Sequence, residues 1–128
     1  MKIMLAGMCT ASSVNSNCRL SAPARVREEK GVITVATGTY VPFEYRDDDN
    51  IVGFDIDLAQ YIADKLGVDM EVTDMEFQSI VPSIQNGEYD FSIAAMYKTD
   101  ERCEVVDMSK SYCDSGMILA VKEDSKYA

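Results

Sequence analysis

The sequence predicts an α/β fold, with a mostly parallel sheet flanked by helices. From Val32 onward, short β-branched runs alternate with segments whose apolar residues recur at helical spacing. This alternation is typical of parallel βαβ units with right-handed crossovers. The 128 residues are 47% hydrophobic and 27% charged, which is ordinary for a globular chain and sufficient for one core.

The first predicted elements are a strand and a hairpin. Val32–Thr37 is a mostly apolar β-branched run, which predicts a strand buried on both faces. Residues 43–46 and 51–54 flank three aspartates and an asparagine at 47–50, a pattern that predicts a hairpin with an acidic tip. The acidic tip lacks the glycine and glutamate of a calcium loop, so we interpret it as a solvated turn.

Two helices and a strand are predicted next. We expect Asp55 to cap a helix that ends at Gly67. Apolar residues alternate with acids over residues 68–72, which predicts a strand with one wet face. A second, short helix is predicted to begin at a Ser79 cap and to end at Gly87.

The last predicted elements are two strands around a short helix. Residues 89–95 predict a third strand, and Thr99 is expected to cap the helix. Residues 117–121 are a continuous apolar run that predicts a further strand. Because the sequence stops at Ala128, we expect this strand to pair within its own sheet or to exchange between the protomers of a homodimer.

Residues 1–30 are interpreted as a leader or tail. A lysine and then the apolar residues 3–8 are similar to the start of an export signal, although the apolar run is short. Met8 and Cys9 loosely resemble a lipoprotein cleavage site, with methionine where a small residue is wanted. A degraded export signal with a tether and a tail without targeting information both remain open.

Composition excludes several classes of function. A net charge of −10 and a pI near 4.3 argue against a nucleic-acid partner and against binding to an anionic membrane surface. The absence of histidine excludes Ser-His-Asp and Cys-His catalysis and removes the commonest metal ligand. No nucleotide or zinc motif is present, so no cofactor and no metal are predicted. Four cysteines permit disulfides but do not determine a pairing.

Two segments are expected to form a ligand site. In open parallel sheets, ligands bind beyond the carboxyl ends of the strands. Residues 38–40 follow the first predicted strand and residues 95–99 follow the third. Both segments offer backbone donors, hydroxyl groups and an aromatic ring, and neither is needed for packing.

Six sequence blocks occur in order at family-like spacing: TYVPFEY, IVGFDIDLAQYIADKLGV, FQSIVPSIQNGEYDFSIAAM, TDER, VDMS and YCDSGMILAVKEDS. Together they resemble the polar amino-acid-binding proteins of bacterial ABC uptake systems, the extracellular solute-binding proteins of family 3. The resemblance implies a periplasmic-binding-protein-like first lobe over residues 31–116, with residues 117–128 leading into a second lobe that is absent. It also implies an ABC permease as partner, a location outside the cytoplasm (periplasm or cell-surface lipoprotein), and binding without enzymatic activity.

The resemblance also assigns amino-acid-binding roles to residues of both segments and their neighbours. Tyr40 matches the aromatic over the ligand, and Arg102 matches the arginine that grips the α-carboxylate. Phe77 matches a second residue that lines the pocket, and Glu44 is a candidate for recognising a basic ligand side chain. The full set is Thr39, Tyr40, Glu44, Phe77, Ala95, Met96, Tyr97 and Arg102.

Other interpretations stay open at these positions. Tyr40 and Phe77 could be core aromatics, and Arg102 could be a solvated surface charge. Ala95 and Tyr97 stand where the family usually has glycine followed by serine or threonine, so the pocket is expected to differ in shape. A single lobe is expected to retain only about millimolar affinity. A sensory or interaction module, or a remnant that binds nothing, is the alternative function.

Overall fold

The computed structural model describes residues 3–5, 8–9, 31–116 and 120–126. In these ranges the chain forms one five-stranded sheet, two two-stranded sheets and three helices. The helices are α1 (Phe54–Leu66), α2 (Phe77–Asn86) and α3 (Asp100–Val105). The strands are β1 (Ile3–Leu5), β2 (Met8–Cys9), β3 (Val32–Thr37), β4 (Tyr45–Asp47), β5 (Asn50–Val52), β6 (Asp69–Asp74), β7 (Phe91–Ile93), β8 (Asp107–Met108) and β9 (Cys113–Asp114).

The five-stranded sheet confirms the predicted α/β class. Its strand order is β6-β3-β7-β1-β8, and every neighbouring pair is parallel. Strands β4 and β5 form the predicted hairpin, with a tighter turn than expected because Asp47 pairs with Asn50. The third predicted strand is shorter than expected, since β7 covers only Phe91–Ile93.

The two long helices cover opposite faces of this sheet. Ile33 and Val35 of β3 pack with Ala59 and Ala63 of α1. Ala36, the next residue of β3, belongs to the cluster that contains the isoleucines of α2. Successive strand residues point to opposite faces, so the burial of β3 on both faces follows from helices on either side.

Helix α1 begins earlier than predicted. Its N-cap is Gly53, with φ 132°, and not Asp55, which lies in the first turn. A side chain is excluded at Gly53 because a Cβ there would lie 2.3 Å from the carbonyl oxygen of Phe43. Asp55 is fully buried and its carboxylate accepts a hydrogen bond from the amide of Ala95. The helix ends at Gly67 in the left-handed conformation, as predicted.

Helix α2 also begins before its predicted cap. The helix starts at Phe77, so Ser79 lies within the first turn, and its amide donates to the carbonyl oxygen of Glu76. Pro82 lies inside the helix and is exposed. Gly87 ends the helix in the left-handed conformation, as the sequence predicts.

The N-terminal segment contributes strands to the lobe, which differs from the expected leader or tail. Strand β1 lies between β7 and β8 and pairs in parallel with both. Strand β2 pairs in parallel with β9. The helices within the described ranges are all too short or too polar to cross a membrane.

The strand predicted at residues 117–121 has no support. Residues 117–119 lie outside the described residues, and Ala120 and Val121 are exposed and outside any strand. The homodimer by strand exchange, which depended on this strand, is likewise unsupported.

Candidate functional site

The two segments expected to bind ligand emerge at the same edge of the sheet. Strand β3 ends at Thr37 and β7 ends at Ile93. The buried hydroxyl of Thr37 donates to the carbonyl oxygen of Ile93 at 2.7 Å, which ties the two strand ends together. Residues 38–40 and residues 94–97 therefore leave the sheet side by side. We call residues 94–97 the candidate loop.

Arg102 lies between the candidate loop and the start of α2. Thr99 caps α3 by accepting a hydrogen bond from the amide of Arg102 at 3.3 Å. The guanidinium donates through Nη1 to the carbonyl oxygen of Tyr97 at 2.6 Å and lies 5.7 Å from the ring centroid of Phe77. One of five N–H donors is used in these contacts, so the planar group retains donors that suit a carboxylate.

The aromatic residues of the site are exposed and are not core residues. Tyr40 is 57% exposed and Phe77 is 46% exposed, so their interpretation as core aromatics is wrong. The ring of Tyr40 stacks on that of Phe43, with centroids 5.9 Å apart and an angle of 14° between planes. Tyr97 also exposes part of its side chain. The side chains of Tyr40, Phe77 and Tyr97 are therefore at least partly open to solvent.

Ala95 and Met96 are buried in the candidate loop. Ala95 has a left-handed backbone, with φ 44°, a conformation that costs a residue with a Cβ about 1 kcal/mol or more. The Met96 side chain is 1% exposed and packs in the core with Ile80 and Ile84. Met96 can therefore meet a ligand only through its backbone.

Thr39 lies in a small polar cluster at the end of β6. Its hydroxyl donates to Asp74 Oδ1 at 3.2 Å, while Arg46 Nε donates to Asp74 Oδ2 at 3.2 Å. The Arg46 side chain is largely exposed, so this ion pair adds little stability. Sequence reasoning missed Asp74, because an acid at the end of a half-exposed strand resembles an ordinary solvated residue.

Glu44 is 1% exposed and does not face the open part of the site. Burial, reinforced by the carboxyl groups of Asp55 and Asp74, raises the pKa of Glu44 from 4.5 to about 8. Among the described side chains, Glu44 Oε2 and Asp55 Oδ1 are buried oxygens without a hydrogen-bond partner. The side chains of Glu44 and Asp55 lie close enough to interact.

Asp55 and Tyr112 connect the candidate loop to the segment after β8. Asp55 Oδ2 accepts from the amide of Ala95 at 2.7 Å and from the hydroxyl of Tyr112 at 2.8 Å. Burial, followed by the negative charge of Asp55, raises the pKa of the Tyr112 hydroxyl above its ordinary range. Sequence reasoning assigned Asp55 to a cap and gave Tyr112 no contact. The sequence does not single out Asp55, since Asp57 also lies between two apolar residues and is exposed.

The described residues show no candidate metal site. The residues that the structure describes include no group of three or more cysteine, aspartate or glutamate side chains placed to hold a metal ion.

The fold and the site together define a class of protein. A parallel sheet with exposed aromatic rings and an arginine at its carboxyl edge is an arrangement found in α/β proteins that bind small ligands. The chain belongs to the bacterial extracellular solute-binding proteins, family 3, whose family model matches residues 32–127.

Several curated relatives bind amino acids according to their names. The arginine-binding extracellular protein ArtP of Bacillus subtilis is 33% identical over 96% of this chain and 48% of its own length. The ABC transporter arginine-binding protein 1 of Escherichia coli is 34% identical over 70% of this chain and 37% of its own length. The chain thus spans half or less of the length of these relatives.

Solved structures show the same fold. An ancestral arginine-binding protein bound to arginine matches with 45% identity and a TM-score of 0.59, over 61% of this chain and 35% of that chain. The arginine-bound form of domain 1 from TmArgBP matches with 40% identity and a TM-score of 0.57, over 59% of this chain and 62% of that chain.

Proposed function

We propose that this lobe binds a free amino acid without covalent chemistry, as the receptor part of an ABC-type uptake system outside the cytoplasm. The observation that carries the proposal is the placement of Arg102, which lies against the ring of Phe77 and the carbonyl oxygen of Tyr97. These contacts fix the guanidinium beside the candidate loop, where its remaining donors can hold an α-carboxylate.

The other contacts of the ligand follow from the same geometry. The exposed faces of Tyr40 and Phe77 can lie against the ligand, since an aromatic face attracts a cationic group. Backbone groups of the candidate loop, including that of Met96, and the hydroxyls of Thr39 and Tyr97 can bind its polar groups. Glu44 is buried under this surface, so we assign it an indirect role.

A cationic amino acid, with arginine first, is the ligand that the charges favour. Asp74 lies beside Thr39 at the edge of the site, and the buried carboxylate of Asp55 lies beneath the candidate loop. The net charge of −10 attracts cationic solutes over longer distances. The names of several relatives agree with this preference.

Binding by a single lobe is a reasonable expectation for this chain. Loss of half the contacts of a closed site would reduce affinity to about millimolar. A domain 1 structure in its arginine-bound form, 40% identical to this chain, supports the proposal that one lobe can hold the ligand.

The test is a thermal and calorimetric titration of the protein with free amino acids up to tens of millimolar. A ligand at about ten times its Kd, which is about 10 mM for a millimolar site, should raise the free energy of unfolding by about 1.4 kcal/mol. We expect arginine to stabilise the protein most, and Arg102→Ala to abolish the effect. The matched control is Lys65→Ala, which removes one positive charge from the far end of α1, beside Tyr61.

Two results would contradict the proposal. Equal arginine binding by Arg102→Ala would exclude the carboxylate role of Arg102. A cooperative melt that no amino acid shifts would exclude amino-acid binding by this chain and would favour an interaction module of the same fold.

A further inference from the structure

One oxygen of Asp55 joins two distant segments of the chain. Oδ2 accepts a hydrogen bond from the backbone amide of Ala95 at 2.7 Å and from the hydroxyl of Tyr112 at 2.8 Å. Asp55 lies in the first turn of α1 and is completely buried. A buried carboxylate with donors from two other segments fixes the geometry of all three, because each donor would lose a charge-assisted bond by moving.

The bond to Ala95 acts on the most constrained residue of the candidate loop. Ala95 has φ 44° and belongs to no helix or strand. A left-handed alanine reverts to an ordinary conformation unless its surroundings hold it. The hydrogen bond from the Ala95 amide to Asp55 is such a constraint. It also restricts the position of the residues that follow, including Tyr97.

The bond to Tyr112 extends the constraint to the chain that leaves the sheet. Tyr112 lies between β8 and β9, and its ring contacts that of Phe54 at a centroid distance of 6.1 Å. Phe54 contacts Phe43, which stacks on Tyr40. Tyr112 is therefore connected to the site by a hydrogen bond through Asp55 and by a row of aromatic rings.

We propose that Asp55 is a positioning residue, which holds the candidate loop at Ala95 in its binding conformation and couples that loop to the segment around Tyr112. The description of this conformation as the binding one rests on the proposed function. A shift of Tyr112 then changes the affinity for ligand without contact between Tyr112 and the ligand. Glu44, from the loop before β4, also interacts with Asp55.

The first test separates coupling from simple stability. Tyr112→Phe removes only the hydroxyl and keeps the ring on Phe54. We expect arginine to bind about 3- to 10-fold more weakly, the effect of one lost hydrogen bond, at a temperature where urea titration shows the variant fully folded. The matched control, Tyr61→Phe, changes an exposed tyrosine on α1 and should bind as the parent does. Equal affinity of Tyr112→Phe and the parent would overturn the coupling.

The second test needs no ligand, so it remains decisive if the protein binds no amino acid and the proposed function fails. Hydrogen exchange of the Ala95 amide, followed by NMR, reports the bond to Asp55 directly. We expect Asp55→Asn to accelerate this exchange by about tenfold relative to the amides of β7, and Tyr112→Phe to accelerate it less. The exposed Asp57→Asn, on the same helix, should leave it unchanged. If neither Asp55→Asn nor Tyr112→Phe alters the Ala95 amide, the positioning role is wrong. If Asp55→Asn does not fold, Tyr112→Phe alone decides.

Discussion

Glu44 should make the stability of this protein fall as pH rises through neutrality. Its pKa is about 8 in the folded protein against 4.5 as its ordinary value. Between these values the folded state holds a proton that the unfolded state has released, so the contribution to stability is greatest on the acid side and is lost towards pH 8. The linkage relation gives a loss of about 2 kcal/mol between pH 6 and pH 8, at about 1.4 kcal/mol per pKa unit.

The perturbation that tests this is Glu44→Gln, which keeps the shape of the side chain and cannot ionise. The free energy of unfolding is measured by urea titration from pH 6 to pH 8. We expect the parent to lose about 2 kcal/mol over this range and the variant to lose little. Because the sequence contains no histidine, few other groups contribute to the pH dependence of the free energy of unfolding between pH 6 and pH 8.

The control is Glu71→Gln, which changes an exposed glutamate on β6 and should keep the slope of the parent. The groups that surround the Glu44 carboxyl are Asp55, Asp74 and the hydroxyl of Tyr112. A parent protein whose stability is constant from pH 6 to pH 8 would refute the reasoning. So would a variant that declines as steeply as the parent, since the titrating group would then lie elsewhere.

Three further substitutions test local features of the fold. Gly53→Ala should destabilise the protein by about 2 kcal/mol or more, because its Cβ would clash with the carbonyl of Phe43; a loss below about 0.5 kcal/mol in urea titration would contradict the clash. Thr99→Ala should lower the free energy of unfolding by about 1 kcal/mol through loss of the α3 cap, and it should weaken arginine binding at Arg102. An unchanged calorimetric affinity for arginine would show that the cap does not influence binding. Ala95→Gly should raise the melting temperature slightly by relieving the left-handed backbone, and a lower melting temperature would show that the methyl group is needed for packing.

Periodicity was sufficient to predict the class of fold and to place the two candidate segments at one edge of the sheet. Val32–Thr37 is a strand with the predicted bounds, and Gly67 and Gly87 both end helices as expected. Glycine at a helix end is a local signal, since it depends on the backbone of one residue. Signals of this kind can be read without knowledge of the tertiary structure.

The errors occurred where a side chain has a distant partner. Asp55 has the composition and position of a helix cap, but its partner is the amide of Ala95, which lies in another part of the chain. Ser79 similarly looks like a cap, although the helix already begins at Phe77. The burial of Glu44 and the contacts of Tyr112 depend on the same tertiary arrangement, which no pattern along the chain reveals.

The position of β1 affects when the lobe can finish folding during translation. The ribosome makes Ile3–Leu5 well before β7 and β8, the two strands that flank it in the sheet. Strands β3 and β6 are closer in sequence and can pair earlier. Insertion of β1 is therefore a late step, because Ile3–Leu5 can pair within the sheet only after β7 has emerged. Until β1 inserts, the edge of β7 that it occupies in the folded lobe stays open.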